Sequence, residues 1–204
     1  RRTDGVALDT FRQGRSATDL IWLVSEILER RREEGRRTFL CAIDIRKAYD
    51  RVWHAGLFAK LAHTGFDGAA WRLLRDWYSG CRSTVIVNGS QTEAFVNTHG
   101  VRQGAPSSPN LYSVFINDVV HELKKARLGV LIEDVWVGAL LFADDTLLIA
   151  DTEEELHAMM RVMEACATKW RYQINETKTK VLVASTSTRR RTFVPEEPFQ
   201  FNDQ

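Results

Sequence analysis

Apolar and polar residues follow one another along this chain in two rhythms, and each rhythm predicts a different element. After Ser16, apolar residues fall at Leu20, Leu23, Val24, Ile27 and Leu28, the spacing that lines one helix face over two turns. Ser16 with Asp19 three residues on is a helix-start pattern in which each side chain reaches the other's backbone N–H. The helix runs into ERRREEGRR, a mixed-charge stretch expected as a solvated face. Thr38 to Ile43 then reads as a buried strand ending at Asp44. Ala48 to Leu61 returns to helical spacing, and Ala69 to Tyr78 predicts another helix.

Residues 83–96, STVIVNGSQTEAFV, form two strand-like runs around Asn88-Gly89, a dipeptide favoured in tight hairpins because both central residues need positive φ. Pro106 and Pro109 bracket a loop and a helix start, after which Leu111, Phe115, Val119 and Leu123 recur every four residues. Val135 to Ile149 is strand-like throughout, interrupted only by Asp144 and Asp145. Asp151 or Thr152 caps the next helix, with Glu155 completing a capping box if Thr152 is the cap. Its apolar face is Leu156, Met159, Met160, Met163, Cys166 and Trp170, the methionines being core filler. Lys180 to Ser185 predicts a last strand. Residues 1–185 are expected as one domain, and 186–204, with STSTRRR and two prolines, as a linker or the start of a truncated element. This order of helices, hairpins and strands is α+β, an antiparallel sheet backed by helices.

Composition narrows the field only a little. A chain of 204 residues, 44% hydrophobic, can bury a sizeable core. No run approaches the ~20 apolar residues of a membrane span, so no membrane partner is expected. The opening RRTDGVALDT has no apolar region after its basic residues, and so no secretory signal; lacking an initiator Met, the chain is expected to be a piece of something longer. Cys41, Cys81 and Cys166 are scattered without a CxxC, which points to thiols in a reducing compartment, nucleus or cytoplasm, and away from zinc. A net charge of +1 does not by itself mark a nucleic-acid binder, unless acids gathered at one place offset bases spread elsewhere.

The acids change this picture. Asp144 and Asp145 sit inside ALLFADDTLLIA, and an ionised carboxylate left unpaired in apolar surroundings is costly. A pair flanked by strands fits the tip of a hairpin, with Ala143 to Thr146 as the turn. For the pair alone, the plain reading is a tight turn with solvated carboxylates. Asp44, however, ends a second apolar strand. Two strands bringing three carboxylates to one edge would create a site that needs cations. Oxygen ligands without nearby His or Cys favour a hard ion, Mg²⁺ or Mn²⁺. Two such ions about 3.5–4 Å apart form the clamp used in in-line phosphoryl transfer.

Five segments in order carry a resemblance. FADD between apolar runs is similar to the catalytic motif of reverse transcriptases, in the form typical of non-LTR (LINE-type) retrotransposons. AIDIRKAYDRVW resembles the family's other metal-binding motif, GVRQGAPSSPNLYSVFINDV (100–119) its loop and helix under the templating base. FRQGRSATD (11–19) resembles a fingers segment, and INETKTKVLV (174–183) the motif after the catalytic hairpin. The resemblance runs from about Phe11 to Val183. It implies a polymerase right-hand fingers/palm fold with the thumb missing, and RNA-directed DNA polymerase activity within a retrotransposon polyprotein. The implied partners are an RNA template, a DNA primer, deoxynucleoside triphosphates and the parent's remaining domains; the implied cofactor is Mg²⁺, two ions, or Mn²⁺. Residues 1–204 alone are expected to be weakly active or inactive.

Residue by residue, the resemblance makes Asp44 and Asp144 ion ligands, gives Asp145 a less direct share, and adds the backbone carbonyl of Ile45. Tyr49 matches an aromatic sugar gate against a ribose 2′-hydroxyl. Gln103 and Gly104 match the nucleotide pocket, Gly104 letting backbone approach closely. The chain departs from the family pattern just beyond, where Ser107 stands in place of a usual apolar residue. Lys178 matches a lysine that protonates the leaving pyrophosphate, Asn175 falls in the same motif as a turn residue, and Arg12 and Arg15 are candidates for template-backbone or triphosphate contact. Two alternatives stand beside this reading: a group II intron-type reverse transcriptase, in which Tyr is commoner at the position of Phe142, and a catalytically silent nucleic-acid-binding remnant.

Overall fold

The computed structural model describes residues 16–185 and 195–201. In chain order they begin with helix α1 (Ala17–Glu33), strand β1 (Thr38–Asp44), and helices α2 (His54–His63) and α3 (Gly68–Ser79). Four very short strands follow: β2 (Arg82–Ser83), β3 (Ile86–Val87), β4 (Ser90–Gln91) and β5 (Phe95–Val96). Next come α4 (Ser108–Ile116), α5 (Asp118–Lys125), β6 (Val130–Ile132), β7 (Val135–Val137), β8 (Ala139–Phe142) and β9 (Asp145–Ala150). Helix α6 (Glu153–Trp170) and strand β10 (Lys180–Ala184) complete the set. Among the described residues no helix is long and apolar enough to cross a membrane. The chain divides into two compact units, one of residues 1–46 with 116–204, the other of residues 47–115.

The first unit is built on a four-stranded antiparallel sheet in the order β10-β1-β9-β8. Strand β1 is interior, which is why its sequence is apolar on both faces. Leu40 lies opposite Ile149 on β9 and Leu182 on β10. Strand residues two apart share a face, so Leu40, Ala42 and Asp44 project on one side, together with Asp145, Leu147 and Ile149. That face packs against α1: Leu20 and Ile27 cluster with Leu40, Leu140 and Ile149, and with Val130 and Val137 of the β6–β7 hairpin. The alternate set, with Cys41, Leu148 and Ala150 fully buried, belongs to the face covered by α6, whose Leu156, Met159 and Met163 are also fully buried.

Local signals set the ends of these elements. Ser16 caps α1 through the reciprocal bonds expected of it with Asp19. Thr152 caps α6, its hydroxyl accepting from the Glu155 N–H. The Glu155 carboxylate does not close the box on Thr152; it accepts instead from the N–H groups of Asp151 (2.6 Å) and Gly129 (2.8 Å). The hairpin of β6 and β7 has no counterpart in the sequence reading, which begins the strand region at Val135. Residues 195–201, read from sequence as part of a linker, lie along α6: Glu153 accepts from the Glu196 N–H (2.7 Å), Phe199 stacks on His157, and Phe201 is buried.

In the second unit α2 packs on α3, with the Trp71 indole donating to the Phe58 carbonyl (3.0 Å). The expected hairpin forms at Asn88-Gly89, both at positive φ, between β3 and β4, and β2 pairs with β5. The helix predicted from Ala48 begins only at His54. Lys47 sits in the left-handed region at φ 49°, and the backbone after it bonds across to a distant segment. Val101 N–H donates to Tyr49, Gly100 N–H to Val52, and His54 N–H to Thr98. Only a single helical-type bond, Arg51 N–H to the Lys47 carbonyl (3.0 Å), forms in this stretch, so the apolar spacing over 48–53 reflects burial around an isolated turn and not a helix. The four-residue repeat from Leu111 to Leu123 is likewise shared by two helices, α4 and α5, that divide at Asn117.

Candidate active site

Strand β1 ends at Asp44, whose Cα partner across the sheet is Asp145, the first residue of β9. Asp145 also pairs with Phe142 of β8. The hairpin turn is therefore Ala143-Asp144, starting where the four-residue turn expected from sequence starts but two residues shorter, and Ala143 takes φ 53° to close it. A two-residue connection fits the twist of the two strands. Asp144 is thus held in the turn, while Asp44 and Asp145 stand side by side at the ends of neighbouring strands.

The electrostatics follow from this placement. Partial burial at the sheet edge pushes the Asp145 carboxyl above its ordinary value, the charges of Asp144 and Asp44 push it further, and Lys178 opposes them. The Lys178 ammonium lies 3.6 Å from Asp44 Oδ1. Asn175 donates its amide Nδ2–H to Asp44 Oδ2 and its backbone N–H to the Asp44 carbonyl, both at 2.8 Å. Ile45 is buried and bridges to Ile174, which brings the 172–180 segment alongside the end of β1. An open cavity of about 820 Å³ adjoins the acids, with Asp44, Asp145 and Lys178 on one side and Leu20, Val24 and Leu140 on another.

Among the described residues, no group of three or more His, Cys, Asp or Glu side chains forms a ready-made metal cage. The donor set nonetheless fits a hard divalent cation. It consists of oxygen donors, the carboxylates of Asp44, Asp144 and Asp145 with the Ile45 carbonyl, and no His or Cys belongs to it.

In the second unit, Tyr49 stacks on the buried Tyr112 of α4, ring centroids 5.1 Å apart and nearly parallel. Gln103 donates its side-chain N–H to Asp50 Oδ1 (2.8 Å). Gly104 has φ 84°, a backbone conformation that favours glycine, and the space where a Cβ would stand is open. The loop is pinned at its far end by Ser108, whose buried hydroxyl donates to the Arg102 carbonyl (2.5 Å). Ser107, the departure from the family pattern, is exposed and lies before the helix.

The structure thus gathers Asp44, Asp144, Asp145, Ile45 and Lys178 in one unit, and Tyr49, Gln103 and Gly104 in the other. Arg12 and Arg15 lie outside the described residues. Three supporting side chains escaped the sequence reading: Asn175, taken only as a turn residue; Asp50, the last residue of the KAYD run; and Tyr112, one residue past Leu111 of the apolar repeat. Each fell within a quoted motif, but its partner is distant in sequence.

A polymerase fingers/palm fold is what this arrangement of sheet, hairpin and helices defines, and solved structures agree. Apo telomerase from Candida tropicalis superposes with a TM-score of 0.63 at 16% identity, covering 85% of this chain and 36% of that one. Telomerase from Candida albicans gives 0.62 over 82% of this chain and 30% of that one, also at 16% identity. The family model for reverse transcriptase (RNA-dependent DNA polymerase) matches residues 3–201, and the chain belongs to that family. Its relatives include the transposon TX1 149 kDa protein of Xenopus laevis, 30% identical over 83% of this chain and 13% of that protein. The RNA-directed DNA polymerase from mobile element jockey of Drosophila funebris is 28% identical over 75% of this chain and 16% of that protein. A Pol polyprotein from retrotransposable element R2 of Popillia japonica is 27% identical over 65% of this chain and 22% of that protein. The resemblance to non-LTR retrotransposon reverse transcriptases is borne out, and the chain spans between 13% and 22% of the length of these three relatives.

Proposed function

We propose that the protein carrying this chain is an RNA-directed DNA polymerase of a retrotransposable element. It would add deoxynucleotides to a primer 3′-hydroxyl, copying an RNA template, with Asp44, Asp144 and Asp145 holding two Mg²⁺ ions (or Mn²⁺). The observation that carries the reading is the pairing of Asp44 with Asp145 at one sheet edge, with Asp144 in the adjoining turn, in a chain of the reverse transcriptase family. Bound divalent cations would lower the pKa of the attacking hydroxyl and neutralise the leaving pyrophosphate.

The remaining roles belong to the chain's own groups. Tyr49, its ring stacked on Tyr112, would serve as the sugar gate, the ring excluding a 2′-hydroxyl from the incoming nucleotide. Gln103, held by Asp50, and the backbone at Gly104 would line the nucleotide pocket. Lys178, its ammonium 3.6 Å from Asp44 Oδ1, would give a proton to the leaving pyrophosphate as the P–O bond breaks. The nucleophile comes from the primer, so the protein needs none.

Primer extension by the full-length protein tests this directly. On a primed RNA template with Mg²⁺, dNTP-dependent products are expected, and Asp44→Asn should abolish them. Failure to extend any primer on RNA, with extension on DNA templates intact, would overturn the assignment of template. Extension at parental rate by Asp44→Asn would overturn the assignment of the site.

A further inference from the structure

The segment after α6 makes a detour to reach the end of β1. Arg171 turns the chain out of the helix in the left-handed conformation, Ile174 bridges to Ile45, and Asn175 arrives beside Asp44, 131 residues away in sequence. Asn175 grips Asp44 twice, its backbone N–H on the carbonyl and its Nδ2–H on Oδ2. Its own amide is held in turn. Thr177 Oγ1 donates to Asn175 Oδ1 (2.9 Å), which fixes the oxygen on that side and leaves the NH₂ facing the carboxylate. The Asn175 carbonyl accepts from the N–H and hydroxyl of Thr179 (2.9 and 3.0 Å) and from the Lys178 N–H (3.2 Å).

From this geometry we infer that Asn175 is a positioning residue for Asp44: it pins Oδ2 so that Oδ1 is the oxygen presented to a cation at the sheet edge. The choice of side chain has a physical reason. An amide donor on Oδ2 orients the carboxylate without cancelling its charge, and it leaves Oδ1 to face the Lys178 ammonium, 3.6 Å away, on the side where a bound cation would take the ammonium's place. Thr177 supports the arrangement at one remove. The inference rests on the proposed role of Asp44 as a cation ligand, and partners that orient a ligand in this way typically change metal affinity by about 10–100-fold.

The test uses the full-length protein and two readouts, Mn²⁺ binding followed by the loss of the free-ion EPR signal and the Mg²⁺ dependence of primer extension. Asn175→Ala should weaken Mn²⁺ binding about tenfold or more. It should raise the Mg²⁺ concentration for half-maximal extension by a similar factor, while the rate at saturating Mg²⁺ returns towards the parental value. Thr177→Val, which frees the amide to turn but removes no contact to Asp44, should shift both in the same direction by less. If Asn175→Ala lowers the unfolding midpoint too far to be assayed, Thr177→Val alone decides. Asp44→Asn separates the two ideas. Should it leave Mn²⁺ binding and extension untouched, the ligand role itself is wrong. Should it abolish both while Asn175→Ala and Thr177→Val bind Mn²⁺ like the parent, the ligand role stands and the positioning role falls.

Discussion

Asp145 carries the cost of its neighbours. Its carboxyl is raised by partial burial and by the charges of Asp144 and Asp44, so in the absence of a counter-ion its ionised form is disfavoured in the fold. Replacing Asp144 by Asn removes one of those charges. In chelator at neutral pH, Asp144→Asn is expected to unfold at the parental temperature or slightly above it, while primer extension by the full-length protein falls by orders of magnitude. A lower midpoint would mean that Asp144 has a structural partner. Tyr49 makes a second residue-scale prediction. Its ring is half-buried against Tyr112, so Tyr49→Val removes the ring's outer atoms and leaves the partner in place. Ribonucleotide incorporation should rise relative to deoxyribonucleotide, measured as the ratio of kcat/KM values. An unchanged ratio, with polymerisation retained, would place the gate elsewhere.

Among the elements, the β6–β7 hairpin shows how backbone geometry stays hidden in composition. Gly129 has φ 131°, and a Cβ built there would stand 2.5 Å from the Gly138 Cα. The two glycines let the strand entering the hairpin and the strand leaving it pass in contact, and Gly138 then leads directly into β8 of the acidic hairpin. Gly35, by contrast, has φ 72° and nothing within 4 Å of its missing Cβ. Gly35→Ala should cost about 1 kcal/mol from backbone strain alone. Gly129→Ala adds overlap with fixed backbone and should cost about 3 kcal/mol. Urea unfolding of both variants checks the contrast, and equal losses would show that overlap contributes nothing. The sequence reading saw neither glycine as special, because isolated glycines have no periodicity to break.

For the chain as a whole, one buried charge ties the start of the larger unit to its later half. Arg31 on α1 is 1% exposed; it donates to the Asp151 carboxylate, to Thr38 Oγ1 (2.8 Å) and to the Arg37 carbonyl (2.7 Å). Burial alone would raise the Asp151 carboxyl, but the hydrogen bonds and charges of Arg31 and Arg36 together hold it below its ordinary value. A carboxyl depressed by folding stabilises the fold fully above its unfolded value, and that contribution is lost as pH falls through the folded value. Asp151→Asn should therefore cost about 2 kcal/mol at pH 7, less than a fully buried pair because Asp151 is 35% exposed. The difference between parent and variant should shrink steadily below pH 4. A difference independent of pH would show that the amide's shape, and not the charge, is what matters.

Much of this protein is legible one segment at a time. Ser16 and Asp19 start α1, Asn88-Gly89 closes a hairpin, Thr38 to Ile43 is a strand, and the methionine-rich face of α6 is buried, because capping, turn chemistry and burial period are set within a few residues. The five ordered motifs likewise carried the family without any coordinates. What the sequence alone left open depends on partners far along the chain. The helix expected from Ala48 gave way to bonds with residues 98–101, and the division at 46/47 and 115/116 falls inside motifs, with no glycine, proline or charge run to mark it. Strand β10 lies beside β1 and not beside β9, and that order brings Asn175 and Lys178 to Asp44. Strand order and long-range side-chain bonds are decided by which distant apolar faces can be buried together, and a local pattern holds no record of that choice.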